Sequence, residues 1–293
     1  MRRYNKKVPD SAKVKFYGFD MQSKTLAVKN IVAKLKILDS TLYQKSFNAL
    51  DSFKVFNIIN KIKFRRLDDK QADSAKQLLT AIKTYIDNNN YKMVKLFTIN
   101  DIAYLKRDVR LVEQCLDQSL TYGNISGDDY KLRNKYMAEN IEWISKYEGP
   151  ESKIMLCAHN GHISKDDMGS YLKKDYKDQY YAIGFDFNKG SFRAIDIDKS
   201  HHTPPFFTVN EAKKGSSGEL FNKLNIPAFF IDVEKAIKPN SEAKSFFNKN
   251  IEQRNIGWGF STAKEKNFYS GGSIYSKFDG FIFINATTPT IGS

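Results

Sequence analysis

The hydrophobic period changes twice along this 293-residue chain, and those changes limit its possible folds more than any single motif does. From about Thr25 to Tyr147 apolar residues recur at helical spacing. Leu26, Val28, Ile31, Val32, Leu35 and Leu38 make one stripe, as a helix with a single core-facing side requires. Asp39-Ser40 then offers an N-cap for the next segment. A further helix is predicted over about 69–87, with Ala72, Ala75, Leu78, Leu79, Ile82 and Ile86 inward and Asn88-Asn89-Asn90 as its break. Long helical patterns follow over about 91–121 and 127–147, separated by Gly123 and Gly127. Together they predict a layer or bundle of four or five helices.

On either side of that region the pattern is strand-like. Val14 to Phe19 reads as a short strand with Gly18 inside it. From Lys153 onward the run Ile154-Met155-Leu156-Cys157-Ala158 has the continuous apolar character of a strand covered on both faces. Tyr180–Phe187 and Ser191–Ile197 flank Asn188-Lys189-Gly190, which predicts a hairpin with glycine in the left-handed position. Ala228–Val233 and Phe281–Asn285 are two more predicted strands. The expected fold is α/β: a central, mostly parallel sheet flanked by helices, with a large helical insertion. Residues 1–24 would supply the first strand, 25–150 the insertion and 151–293 the remainder of the α/β domain.

Composition narrows the function classes. Lys and Arg total 47 against 33 Asp and Glu, a formal charge of +14, and this raises nucleic acid as a partner. Only nine of the cations are arginine, and the lysines are scattered rather than striped, so nucleic-acid binding is not expected. No apolar segment reaches the roughly 18 to 20 residues of a membrane span. Cys115 and Cys157 lack CxxC spacing, which argues against a disulfide framework or a structural zinc site. Met1-Arg2-Arg3-Tyr4-Asn5-Lys6-Lys7 carries charge with no apolar stretch behind it, so a cytoplasmic location is expected.

All four histidines lie between 159 and 202. His159-Asn160-Gly161-His162 directly follows the predicted strand 153–158, where ligands of open α/β sheets bind. Gly161 permits a sharp turn, so both imidazoles can face one crevice. Histidine suits proton transfer, or hydrogen bonding to a developing oxyanion, because it titrates near neutrality. The competing readings are a satisfied polar residue at a strand end and a metal site. HxxH alone is a weak metal signal without the HExxH helix motif, and no metal or other cofactor is expected. His201-His202 reads as an exposed pair in a polar loop. Asp20 ends the first predicted strand and would open toward the histidines if both strands share a parallel sheet; capping the next helix is its alternative role. Arg133, a rare arginine, can clamp a carboxylate or polarise a carbonyl, or form a surface ion pair. GxSxG is absent, which removes a serine-elbow mechanism. So is a Walker A lysine motif, and Gly257-Trp258-Gly259 is only a fragment of a dinucleotide fingerprint.

Several segments, in this order, resemble the erythromycin esterase family over nearly the whole chain. They are Phe16-Tyr17-Gly18-Phe19-Asp20-Met21-Gln22-Ser23, Arg133 to Asn140 with Trp143, and Ala158-His159-Asn160-Gly161-His162. Tyr181-Ala182-Ile183-Gly184-Phe185 with Gly190, and Phe278-Asp279-Gly280-Phe281-Ile282-Phe283, complete the set. The resemblance implies hydrolysis of a carboxylic ester or macrolactone by activated water, linked to macrolide resistance. It implies His159 and His162 as catalytic residues, with Arg133, Asn160 and Asp20 binding a small-molecule ester. Asn134 stands where the family usually has Asp. The family's Gly-Glu-x-x-His-Gly segment, which carries a histidine thought to activate water, has no counterpart here. The expectation is therefore an incomplete fragment that does not hydrolyse esters at an enzymatic rate by itself, the alternative being a non-catalytic ligand-binding remnant of the same fold. The sequence leaves the oligomeric state open.

Overall fold

The computed structural model describes residues 1–52, 69–121, 128–199, 203–237 and 242–290. Two compact units divide at Lys153/Ile154. None of the described helices is long and apolar enough to cross a membrane.

The first unit is helical: α1 (Thr25–Leu38), α2 (Ser40–Ser52), α3 (Asp69–Asn88), α4 (Asn90–Leu96), α5 (Ile99–Thr121) and α6 (Asp128–Glu148). Val28, Ile31, Leu35 and Leu38 of the expected stripe are buried, whereas Leu26 is 75% exposed. Asp39 caps α2 by accepting from the Leu42 amide at 2.8 Å. The single helix predicted over 91–121 is two. Thr98 caps α5 through the Asp101 amide at 3.1 Å, and the Asp101 carboxylate accepts from the Thr98 amide at 3.2 Å. This reciprocal capping box fixes a helix start and so ends the preceding helix. Gly123 and Gly127, the expected separators, lie outside the described residues.

The predicted strand Val14–Phe19 is extended but pairs with no strand among the described residues. It runs along α6 instead. Lys15 pairs with Glu148 at 2.7 Å, and Tyr17 donates to the same carboxylate. Asn140 Nδ2 donates to the Phe19 carbonyl at 2.7 Å. Asn140 thus meets one backbone need, at Phe19, that a neighbouring strand would otherwise meet, and Glu148 holds the segment by its side chains.

The second unit is built on a four-stranded sheet of β1 (Ile183–Arg193), β2 (Phe206–Val209), β3 (Ala228–Asp232) and β4 (Gly280–Thr287), ordered β2-β1-β4-β3. Only β1 and β4 run parallel, and both outer pairs are antiparallel, so the sheet is mixed and the expected mostly parallel arrangement is wrong. The run 154–158 explains part of this. It is extended but belongs to no ladder, and Met155 is 88% exposed, so its apolar character does not mark a covered strand.

The hairpin expected at Asn188–Gly190 is also absent, because β1 passes straight through it. Gly190 does have positive φ, at 125°, but the glycine serves close approach: a Cβ there would lie 2.3 Å from the Thr287 carbonyl oxygen. Asn188 is buried within the strand, donating to Asn285 Oδ1 at 3.1 Å and accepting from the Ala212 amide at 3.0 Å.

One face of the sheet is the core, with Phe281 and Phe283 fully buried beside Phe221. On the other face Phe185, Ile282 and Phe230 stand in one row across three strands, and Phe185 and Phe230 are about half exposed.

Asp186 points into the core, where Ser217 donates to it and the Phe187 amide donates at 2.8 Å. Burial pushes its carboxyl up to about 6 from an ordinary 3.8, against the lowering effects of Ser217, Phe187 and Arg254. Because the folded value is raised, the neutral acid contributes stability at low pH that is lost as pH rises through about 6. Asp186→Asn is therefore expected to stabilise the protein at pH 8 by up to about 3 kcal/mol, and by little at pH 4. Urea denaturation at the two pH values measures the difference. Equal effects at both would show that Asp186 is not the titrating group.

Candidate functional site

His159 ends the extended run and becomes the N-cap of a single helical turn, α7 (Asn160–Ile163). Serine, threonine, aspartate and asparagine normally fill that role. Here the imidazole does so, with Nδ1 accepting from the Gly161 amide at 3.1 Å. An amide can only donate, so Nδ1 must hold a lone pair, and the neutral ring carries its proton on Nε2. Burial lowers the pKa of His159 from its ordinary 6.5, while a hydrogen bond to the main chain of Ile256 opposes the shift. The stability gained from this neutral ring is complete above 6.5 and is lost as pH falls through the depressed folded value.

Asn160 holds the turn to the sheet. Its Nδ2 donates to the Phe185 carbonyl at 2.6 Å, and its Oδ1 accepts from the Phe185 amide at 3.0 Å. The primary amide thus imitates a neighbouring peptide on the stretch of β1 that β2 leaves unpaired.

The far end of the turn is braced as well. Tyr180 Oη donates to the Ile163 carbonyl at 2.5 Å. Gly169 packs so tightly that a Cβ would lie 2.4 Å from the carbonyl oxygens of Ile163 and Ser164. His162 sits within this braced turn and is half-buried.

Downstream, the Lys165 amide donates to the Lys277 carbonyl at 3.0 Å, and its ammonium pairs with Asp279 at 3.0 Å. The structure therefore brings His159, Asn160 and His162 together in the second unit. His201 and His202 lie outside the described residues. Tyr180, Lys165 and Ile256 gave no separable signal in the sequence, because each acts through contacts distant in the chain.

The other two candidates meet in the first unit. Arg133 Nε and Nη2 donate to Asp20 Oδ1 and Oδ2 at 3.2 and 2.6 Å, a two-pronged carboxylate pair. Arg133 and Asn140 are seven residues apart on α6 and so share a face, and between them they hold Phe19 and Asp20. With Asp20 balancing its charge, Arg133 suits hydrogen bonding to a neutral carbonyl better than capture of a substrate carboxylate. Its five N–H donors exceed the two that Asp20 uses.

Cys115 is buried, donates to the Met21 carbonyl at 2.8 Å, and has its thiol pushed up to about 12, which makes it an inert core residue. Cys157 is exposed. Among the described residues no three His, Cys, Asp or Glu side chains form a group able to hold a metal ion.

The described residues thus comprise a helical unit that holds an arginine–aspartate pair and a mixed α/β unit that carries a braced histidine turn beside its sheet. The chain belongs to the erythromycin esterase family, whose model matches residues 1–287. It is similar to "Erythromycin esterase type II" of Escherichia coli, with 24% identity over 265 residues, which is 79% of this chain and 61% of that protein. Among solved structures, a Bacillus cereus protein aligns with TM-score 0.76 and 22% identity, over 99% of this chain and 70% of that one. A histidine-to-asparagine mutant of the erythromycin esterase EreC, in its open conformation, aligns with TM-score 0.68 and 15% identity, over 97% and 71%. The chain spans 37% to 61% of the length of the curated relatives it matches.

A double-mutant cycle tests the first-unit pair. Arg133→Ala and Asp20→Ala are expected to show a coupling of about 1 kcal/mol in urea denaturation, the upper end for partly exposed pairs because two hydrogen bonds are made at once. A coupling near zero would mean that the pair does not hold Asp20 on α6.

Proposed function

We propose that this sequence carries the histidine turn of an esterase-type hydrolase that opens a carboxylic ester, with macrolactones as the substrate class. Water is the nucleophile, and no acyl-enzyme forms. The observation that carries this reading is the histidine turn His159–His162, fastened to β1 by Asn160, in a chain of the erythromycin esterase family. A rigid mount for an imidazole is what proton transfer or oxyanion stabilisation requires, since both depend on fixed geometry.

His162 takes the catalytic role, moving a proton or hydrogen-bonding the tetrahedral oxyanion. His159 and Asn160 form its mount. Arg133, held by Asp20, is the proposed carbonyl-binding group of the first unit. In a cell exposed to a macrolide, opening the ring would remove the antibiotic and confer resistance.

The test uses the natural gene product containing this sequence, incubated with erythromycin and followed by mass spectrometry for one added water. His162→Ala is expected to lower kcat by about 10² to 10³, the usual loss for a positioned oxyanion donor, with an unchanged thermal midpoint. Turnover unaffected by that substitution would remove His162 from the mechanism. No added water from the unaltered protein would remove macrolactones as substrates.

A further inference from the structure

The two histidines of the turn are not equivalent, and the difference lies in their hydrogen bonds. A general base needs an imidazole nitrogen whose lone pair faces the proton it takes. The Nδ1 lone pair of His159 already accepts from the Gly161 amide at 3.1 Å. In the neutral ring, Nε2 then bears the only proton, and the ring also hydrogen-bonds to the Ile256 main chain. A proton can reach Nδ1 only after the cap of α7 is broken. The neighbouring residue is committed to the same task, with both ends of the Asn160 amide spent on the Phe185 main chain.

We propose that His159 is a positioning residue, locked as the neutral Nε2–H tautomer, which with Asn160 forms a two-point clamp that sets His162 against β1. Its effect on turnover rests on the hydrolase reading above. The tautomer itself does not.

The tautomer is read directly. Long-range ¹H–¹⁵N correlation spectra of protein labelled at histidine contain only four imidazoles, and comparison with His159→Asn assigns one of them. His159 is expected to show a pyridine-like Nδ1 and a pyrrole-like Nε2, and to stay neutral at a pH where an unfolded histidine is half protonated. An Nδ1–H tautomer, or titration at the ordinary histidine value, would overturn the assignment whether or not any ester is hydrolysed.

The functional arm uses rescue. His159→Ala removes the cap and is expected to lower the thermal midpoint by about 2–4 °C, and kcat for erythromycin by up to about 100-fold through misplacement of His162. His159→Asn restores an N-cap acceptor but cannot transfer a proton. It is expected to recover most of both losses and to leave the shape of the pH–rate profile unaltered. An Asn variant that regains the midpoint while remaining as inactive as the Ala variant would show His159 to be a proton-transfer residue. If the unaltered protein leaves erythromycin intact, the hydrolase reading fails, and the spectra still decide the tautomer.

Discussion

The second unit depends on one buried carboxylate. Asp279 stands just before β4, 6% exposed, and its two oxygens serve different elements. Oδ2 accepts from the Ala182 amide at 2.8 Å, just ahead of β1, and Oδ1 accepts from Lys165 at 3.0 Å. Its own amide and that of Gly280 donate to the Ala182 carbonyl at 2.8 and 3.0 Å, while its carbonyl accepts from Val233 at 2.9 Å, where β3 ends. The register of the parallel pair β1–β4, the exit of β3 and the segment behind the histidine turn therefore meet at one residue. A buried charge costs several kcal/mol unless it is paired and hydrogen-bonded. Asp279 has both kinds of partner, so that cost falls on any arrangement that separates them.

The same logic extends outward to the histidine turn. A four-residue helix has little stability of its own, because its nucleus costs more than its few hydrogen bonds return. Four hydrogen bonds replace what length would supply: the His159 cap at the start, the two bonds of the Asn160 amide to β1 in the middle and the Tyr180 hydroxyl at the end. Lys165 then ties the next residues to Asp279 and to the Lys277 carbonyl. His162 thus inherits its position from the parallel strand pair rather than from a long helix.

Much of this was legible in the sequence, and the exceptions share a cause. Periodicity located the helices because each buries one stripe, as Ile31, Leu35, Leu79, Ile82 and Ile86 do at 2% exposure or less. It failed at Val14–Phe19 and Ile154–Ala158, where an apolar run states that a segment is extended but not what lies beside it. The first segment finds helix side chains, and the second joins no ladder. Gly190 misled for a related reason. Turn chemistry and close backbone approach both call for glycine, and only the neighbouring Thr287 backbone distinguishes them. The candidate motif was visible as His-Asn-Gly-His, yet the hydrogen bonds that hold it were not. Which nitrogen of His159 is occupied depends on the backbone amide of Gly161 and on the main chain of Ile256, far along the sequence.

The arginine shows how a partner changes what a residue can do. An isolated Arg133 would be a cation seeking an anion, and on sequence grounds a carboxylate clamp was as reasonable as a carbonyl ligand. The second oxygen of Asp20 removes that symmetry. A carboxylate that accepts from both Nε and Nη2 fixes the guanidinium plane and balances its charge, and it leaves only the outward N–H groups for a ligand. A guanidinium whose charge is already compensated has less call for a second anion. On the proposed reading, such a donor would gain most as an ester carbonyl oxygen becomes negative, the preference for a transition state over a ground state that catalysis requires.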